Sequence, residues 1–278
     1  MLKPTELLTV IKARPDILPH LSAEAKIHAF GESAYYKAYE RDPKEPGRKR
    51  KMAYERKFAD LMMRIFDRQK EDVTPQIIIA LQTKASDYNL DWTDEEKRAF
   101  TTLVMEMYID GVDLFRQDVF DGLSDQFVNV GAQKAAREYA LKLVNDLKEQ
   151  LNQTTLNGIK ESIAQFAEPG VTIGDVMSQI NKLDIFSAER TLRIAVTEIT
   201  RAYATANQMA GEQAQREFPD LTIEKTWYTN VDDKTCAICG PLHMTSVGIN
   251  ESWAGIDNPP AHVHCRCWTN YGSTLGKI

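Results

Sequence analysis

No cysteine occurs before Cys236 in this 278-residue chain. That absence argues against thiols scattered through a core, where packing alone decides their positions. Long apolar runs are missing too. None reaches membrane-spanning length, and the opening Met1-Leu2-Lys3-Pro4-Thr5-Glu6 leads into no apolar stretch or cleavage site, so no signal peptide is expected. A positive excess is also lacking: 34 Lys and Arg against 40 Asp and Glu leave a net charge of −6. A protein dedicated to coating DNA would carry a broad basic surface. The composition fits a soluble, intracellular globular protein of one or two domains.

What is present is concentrated near the end. The four cysteines and three of the five histidines run as Cys236-Ala237-Ile238-Cys239, His243, and His262-Val263-His264-Cys265-Arg266-Cys267. A Cys-x-x-Cys turn aims two thiolates at one centre, and a second cluster can complete the tetrahedral shell that zinc prefers. A disulfide from Cys265 or Cys267 to the first pair is the competing use in an oxidising compartment. On an extended segment Cys265 and Cys267 share one face while Arg266 and Trp268 take the other. Cys236, Cys239, Cys265 and Cys267 are therefore the expected ligands, with His262 as competing fourth ligand or hydrogen-bond donor to a ligand sulfur. His243 and His264 are weaker candidates. A shell filled by protein makes the ion structural, its binding free energy being mostly folding free energy. Zinc deaminase chemistry needs His-x-Glu and a proline before the cysteine pair. Here Thr235 precedes Cys236, and His262-Val263-His264 carries no glutamate.

Several stretches together resemble a known family, the phage Mu F-like head morphogenesis proteins of tailed bacteriophages. They are Arg190–Ala202 with Ile194-Ala195-Val196-Thr197-Glu198, then Ala206-Asn207, Lys225-Thr226-Trp227, Asp232–Cys239 with Leu242-His243, and Pro259–Cys267. The chain departs at Val263 and His264, where the family has Pro and Asn or Arg, and at Met244, where it has Gly. The resemblance spans about residues 150–270. It implies a minor structural protein of the phage head, in the virion, present in few copies and assembled in the bacterial cytoplasm. The implied partners are the portal, inner capsid or scaffold proteins and the packaged double-stranded DNA. No enzymatic activity and no membrane association are expected. The alternative is a zinc-stabilised DNA-binding protein or nuclease using His243, His262 or His264 as a base.

The fold expected is α+β, with the N-terminal two-thirds mainly helical and a small C-terminal antiparallel sheet carrying a zinc-stapled module. Residues 1–52 read as an extension with a basic linker, 53–150 as a helical domain, and 151–278 as the Mu F-like domain. Phe58, Leu61, Met62, Ile65 and Phe66 mark a helix over 53–69, and the capping box Thr93-Asp94-Glu95-Glu96 opens another with Phe100, Leu103, Val104 and Met107 inward. Further helices are expected at 131–150, 154–167 and 173–182. The helix at 188–217 should bury Leu192, Ala195, Val196, Ile199, Ala202, Tyr203, Ala206 and Met209, leaving Arg193, Thr197 and Arg201 as a polar stripe. Glu198 and Arg201 are spaced to pair with each other or to bind a phosphate or a partner. Alternation at 222–228 and extension at 264–271 suggest strands, with Trp227 or Trp268 in the core. Asp232-Asp233 suits a turn better than catalysis. The segment Arg41–Lys57, with Arg48, Lys49, Arg50 and Lys51 together, reads as a solvated linker before a helix or as a mobile basic arm touching nucleic acid.

Overall fold

The computed structural model describes residues 41–83, 90–119, 129–165 and 186–275, with Gly174, Asp175 and Ser178 between the last two stretches. Residues 1–40, and nearly all of the helix expected at 173–182, lie outside the described residues. Among the described residues four long helices come first: α1 (Arg48–Thr83), α2 (Asp94–Val119), α3 (Asn129–Gln165) and α4 (Ala188–Glu217). Strands β1 (Leu221–Tyr228), β2 (Ser246–Gly248) and β3 (Trp268–Leu275) follow, with a 3₁₀ turn at Gly240–Leu242. No helix among the described residues is long and apolar enough to cross a membrane.

The chain divides into two compact units. The first draws on Lys57–Phe100 and Leu141–Leu192. Its core is aromatic: Phe58 meets Phe100 edge-on at 4.9 Å, and Trp92 lies 5.1 Å from Phe100. Burying each such ring contributes about 1.5–3 kcal/mol. The capping box forms as its sequence requires. Glu96 N–H donates to Thr93 Oγ1 at 3.2 Å, Thr93 N–H donates to Glu96 Oε2 at 2.7 Å, and Arg68 forks onto the same carboxylate. The two helices expected at 131–150 and 154–167 are one. Gln153-Thr154-Thr155 looks like a polar break, but Thr154 and Thr155 return their hydroxyls to the carbonyls of Gln150 and Leu151, both at 2.8 Å, and the helix runs through.

The second unit draws on Ala38–Arg56, Thr101–Ala140 and Arg193–Ile278. Its sheet has the order β2-β1-β3 and is antiparallel, pairing Leu221 with Leu275 at one end of β1 and Tyr228 with Trp268 at the other. Alternate residues of β1 are buried. Leu221 and Ile223 join Ile249, Tyr271, Phe115 and Ala214 in one cluster, which seats the sheet on α2 and α4. Trp227 lies at 0 % exposure and Trp268 at 7 %, so both tryptophans are in the core. Gly111 marks a close approach of α2 to α4, for a Cβ there would stand 2.9 Å from Ala206 Cβ and 3.3 Å from Tyr203 Cα. Met209, expected inside, is 42 % exposed, and Thr197, expected on a polar stripe, is buried.

The helix expected after the basic segment starts at Arg48, but Arg41 and Lys51 within the segment are buried rather than solvated. Arg41 donates to Glu45 Oε1 at 2.8 Å, Glu55 Oε1 at 2.6 Å and Thr200 Oγ1 at 3.0 Å, and Lys51 donates to Glu45 at 2.9 Å. Arg41, Glu45, Lys51 and Glu55 are all buried. Burial pairs these opposite charges one against another.

Candidate metal centre

Strands β1 and β3 bring the two arms of the Cys/His region together. β1 ends beside Trp268, and the chain beyond Tyr228 enters the turn that carries Cys236 and Cys239. Asp232-Asp233 occupies that turn as expected: Asp232 Oδ1 accepts from Lys234 N–H at 3.1 Å, and its carbonyl accepts from Thr235 N–H at 3.1 Å. The second arm starts after the Pro259-Pro260 pair and runs into β3.

All five expected donors converge. Cys236, Cys239 and His262 form one group able to hold a metal ion, and Cys239, Cys265 and Cys267 form another, each group having its donor atoms within 4.8 Å of one another. Cys239 belongs to both. Its Sγ lies 3.8 Å from Cys265 Sγ and 3.4 Å from His262 Nε2, and Cys236 Sγ lies 3.2 Å from the same nitrogen. Thiolates about 2.3 Å from a zinc ion stand roughly 3.8 Å apart along a tetrahedral edge, so the spacing suits that geometry. None of the four cysteines is disulfide-bonded.

His262 is better placed than the spacing suggested. Its Nδ1 is 2.8 Å from the Val263 carbonyl, which can only accept, so Nδ1 carries a proton and Nε2 is the nitrogen turned toward the sulfurs. Burial works against charge on Cys236, but the Cys239 and Ile238 N–H groups and His262 bring its thiol below the usual value. Among the deeper thiols, hydrogen bonding from Cys239 lowers Cys265, and hydrogen bonding to Cys265 in turn raises Cys239. One negative charge is easily held, and a full set of thiolates needs a cation to neutralise it. Soft sulfur donors with one imidazole suit zinc, and iron is the other ion such sites accept.

His243 and His264 stand aside from both groups. His243 Nδ1 accepts the Thr229 N–H at 3.2 Å. His264 adopts φ 68° and donates its backbone N–H to Thr197 Oγ1 on α4 at 2.9 Å. Burial, then Arg193 and Arg266, push its imidazole down to about 4, leaving it neutral near pH 7. Glu198 and Arg201 form the intramolecular pair at 3.1 Å, with burial raising the Glu198 carboxyl. Of the basic quartet, Lys49 and Arg50 are exposed, Arg48 donates to the Arg41 carbonyl at 2.9 Å, and Lys51 is buried. Arg50 pairs with Asp110.

Three contacts were not foreseen. Arg266 forks onto Asp232 with N–O distances of 2.8 and 2.7 Å. Thr197 ties the module to α4. Lys225, only 1 % exposed, places its ammonium on Gln208 Oε1 at 3.1 Å and the Asp257 carbonyl at 2.8 Å. The Cys-x-Cys alternation carries a signal for the first, since it turns Arg266 away from the thiols. Nothing in the sequence singles out Gln208 as the partner of Lys225.

A helical protein whose C-terminal sheet frames a Cys/His cluster able to hold a metal ion is the class that fold and site define. Residues 157–270 match the family model for phage Mu protein F like protein, so over this stretch the chain is similar to the Mu F-like family. No curated protein and no solved structure matches the chain. The family points to a phage head morphogenesis protein, with other phage structural proteins as its partners and the virion as its location.

Proposed function

We propose that the chain is a minor head protein that acts by binding, docking at the portal vertex during head assembly and lying close to the packaged DNA. The observation that carries this reading is the donor cluster inside the Mu F-like stretch, braced against α4 through His264 and Thr197. The ion is taken to be zinc and structural. Two groups of three donors share Cys239 and together offer five protein donors where zinc takes four, so an open position for a reacting water is not expected and the module serves recognition rather than catalysis. The exposed side chains Ile238, Met244 and Val263 give its rim an apolar character suited to a protein partner.

Co-expression with the portal protein of the same phage tests the reading. Wild-type chain should co-purify with portal, and Cys236→Ser should not. Wild-type protein carrying its metal yet failing to bind portal would defeat the docking role. Magnesium-dependent cleavage of plasmid, abolished by His264→Ala, would instead establish a nuclease.

A further inference from the structure

We infer that Asp232 and Arg266 form a clasp across the two arms of the metal centre and control how long it retains its ion. The inference rests on the metal reading above. The arms come from separate parts of the chain, and the sheet ladder joining them ends at Tyr228 and Trp268. Beyond that pair, Arg266 reaches from between Cys265 and Cys267 to the turn preceding Cys236. Both of its terminal nitrogens engage both oxygens of Asp232, at 2.8 and 2.7 Å.

Each end of the clasp is itself held. The Arg266 side chain is 7 % exposed, and Asp232 is fixed by the Lys234 and Thr235 contacts of its turn. Cys265 and Cys267 both meet Cys239, while the guanidinium between them meets Asp232. A fork that fixes Arg266 therefore also fixes the direction in which the two thiols point. Release of an ion requires the arms to part, and a bidentate Arg–carboxylate pair resists that separation in a way that a single-point lysine contact does not.

The test loads full-length chain with zinc and follows transfer to a chromophoric chelator. Asp232→Asn should speed metal loss about 10–100-fold, the range typical for partners that orient metal ligands. Arg266→Lys should fall between it and wild type. Asp233→Asn removes the same charge from an exposed neighbour without touching the fork, and should release metal at the wild-type rate. Cobalt-substituted wild type and Asp232→Asn should share thiolate charge-transfer bands, showing that the ligands are unchanged and the variant is folded. Equal rates for wild type, Asp232→Asn and Asp233→Asn would overturn the clasp and leave the metal centre standing. Equal acceleration by both Asp variants would reduce the effect to general charge and also overturn it. A wild-type chain that binds neither zinc nor cobalt would instead remove the metal reading, and the clasp with it.

Discussion

Met244 occupies a left-handed backbone conformation, φ 60°, at the turn where its N–H donates to the Trp227 carbonyl at 2.7 Å. An L side chain there crowds its own backbone, and Met244 recovers little by burial, being 67 % exposed. Met244→Gly should raise stability by about 0.5–1 kcal/mol after the greater chain entropy of glycine is subtracted, measured by urea unfolding of the metal-loaded protein. His264 is different. Its φ of 68° aims the backbone N–H at Thr197, so the strain there supports a contact with α4.

Among the elements, the start of α2 couples local sequence to pH. Burial alone would raise the Glu96 carboxyl, but hydrogen bonds from Arg68 and Thr93 more than offset it and hold it below its ordinary 4.5. A carboxyl lowered in the folded state favours folding fully above about 4.5, and that contribution disappears as pH falls through the lower folded value. Glu96→Gln should therefore melt lower than wild type at pH 7, with the difference in melting temperature shrinking below pH 4.5. The capping box was legible because its partners lie three residues apart. The continuity of α3 was not, because Thr154 and Thr155 look the same in sequence whether their hydroxyls face water or return to the helix backbone.

At the scale of the whole molecule, metal removal should separate two kinds of structure. Trp227 and Trp253 pack with Cys239, Cys265 and Cys267 in one cluster, so chelation should abolish much of the near-ultraviolet tryptophan dichroism. The helical far-ultraviolet signal should largely persist, because Phe58 packs on Phe100 and Phe66 on Phe186, all of them buried. Loss of both signals together would show that the helices depend on the ion. Metal analysis of wild-type protein should find about one zinc per chain, and Cys236→Ser much less.

Sequence by itself determined the features whose partners are close along the chain or repeat with a regular period. These are α4, the capped start of α2, the 53–69 stretch of the longer α1, the alternation of β1, the turn at Asp232, and the donor pattern from Cys236 to Cys267. Spacing fixes which face a side chain takes on a helix or strand, and zinc chemistry recognises donor types directly. Tertiary structure decided what depends on distance through space. It placed Arg41, Glu45, Lys51 and Glu55 in a buried network, turned His262 Nε2 toward two sulfurs, and closed Arg266 onto Asp232. A charge in a sequence carries no record of its neighbour, because only folding chooses which opposite charge will share its desolvation.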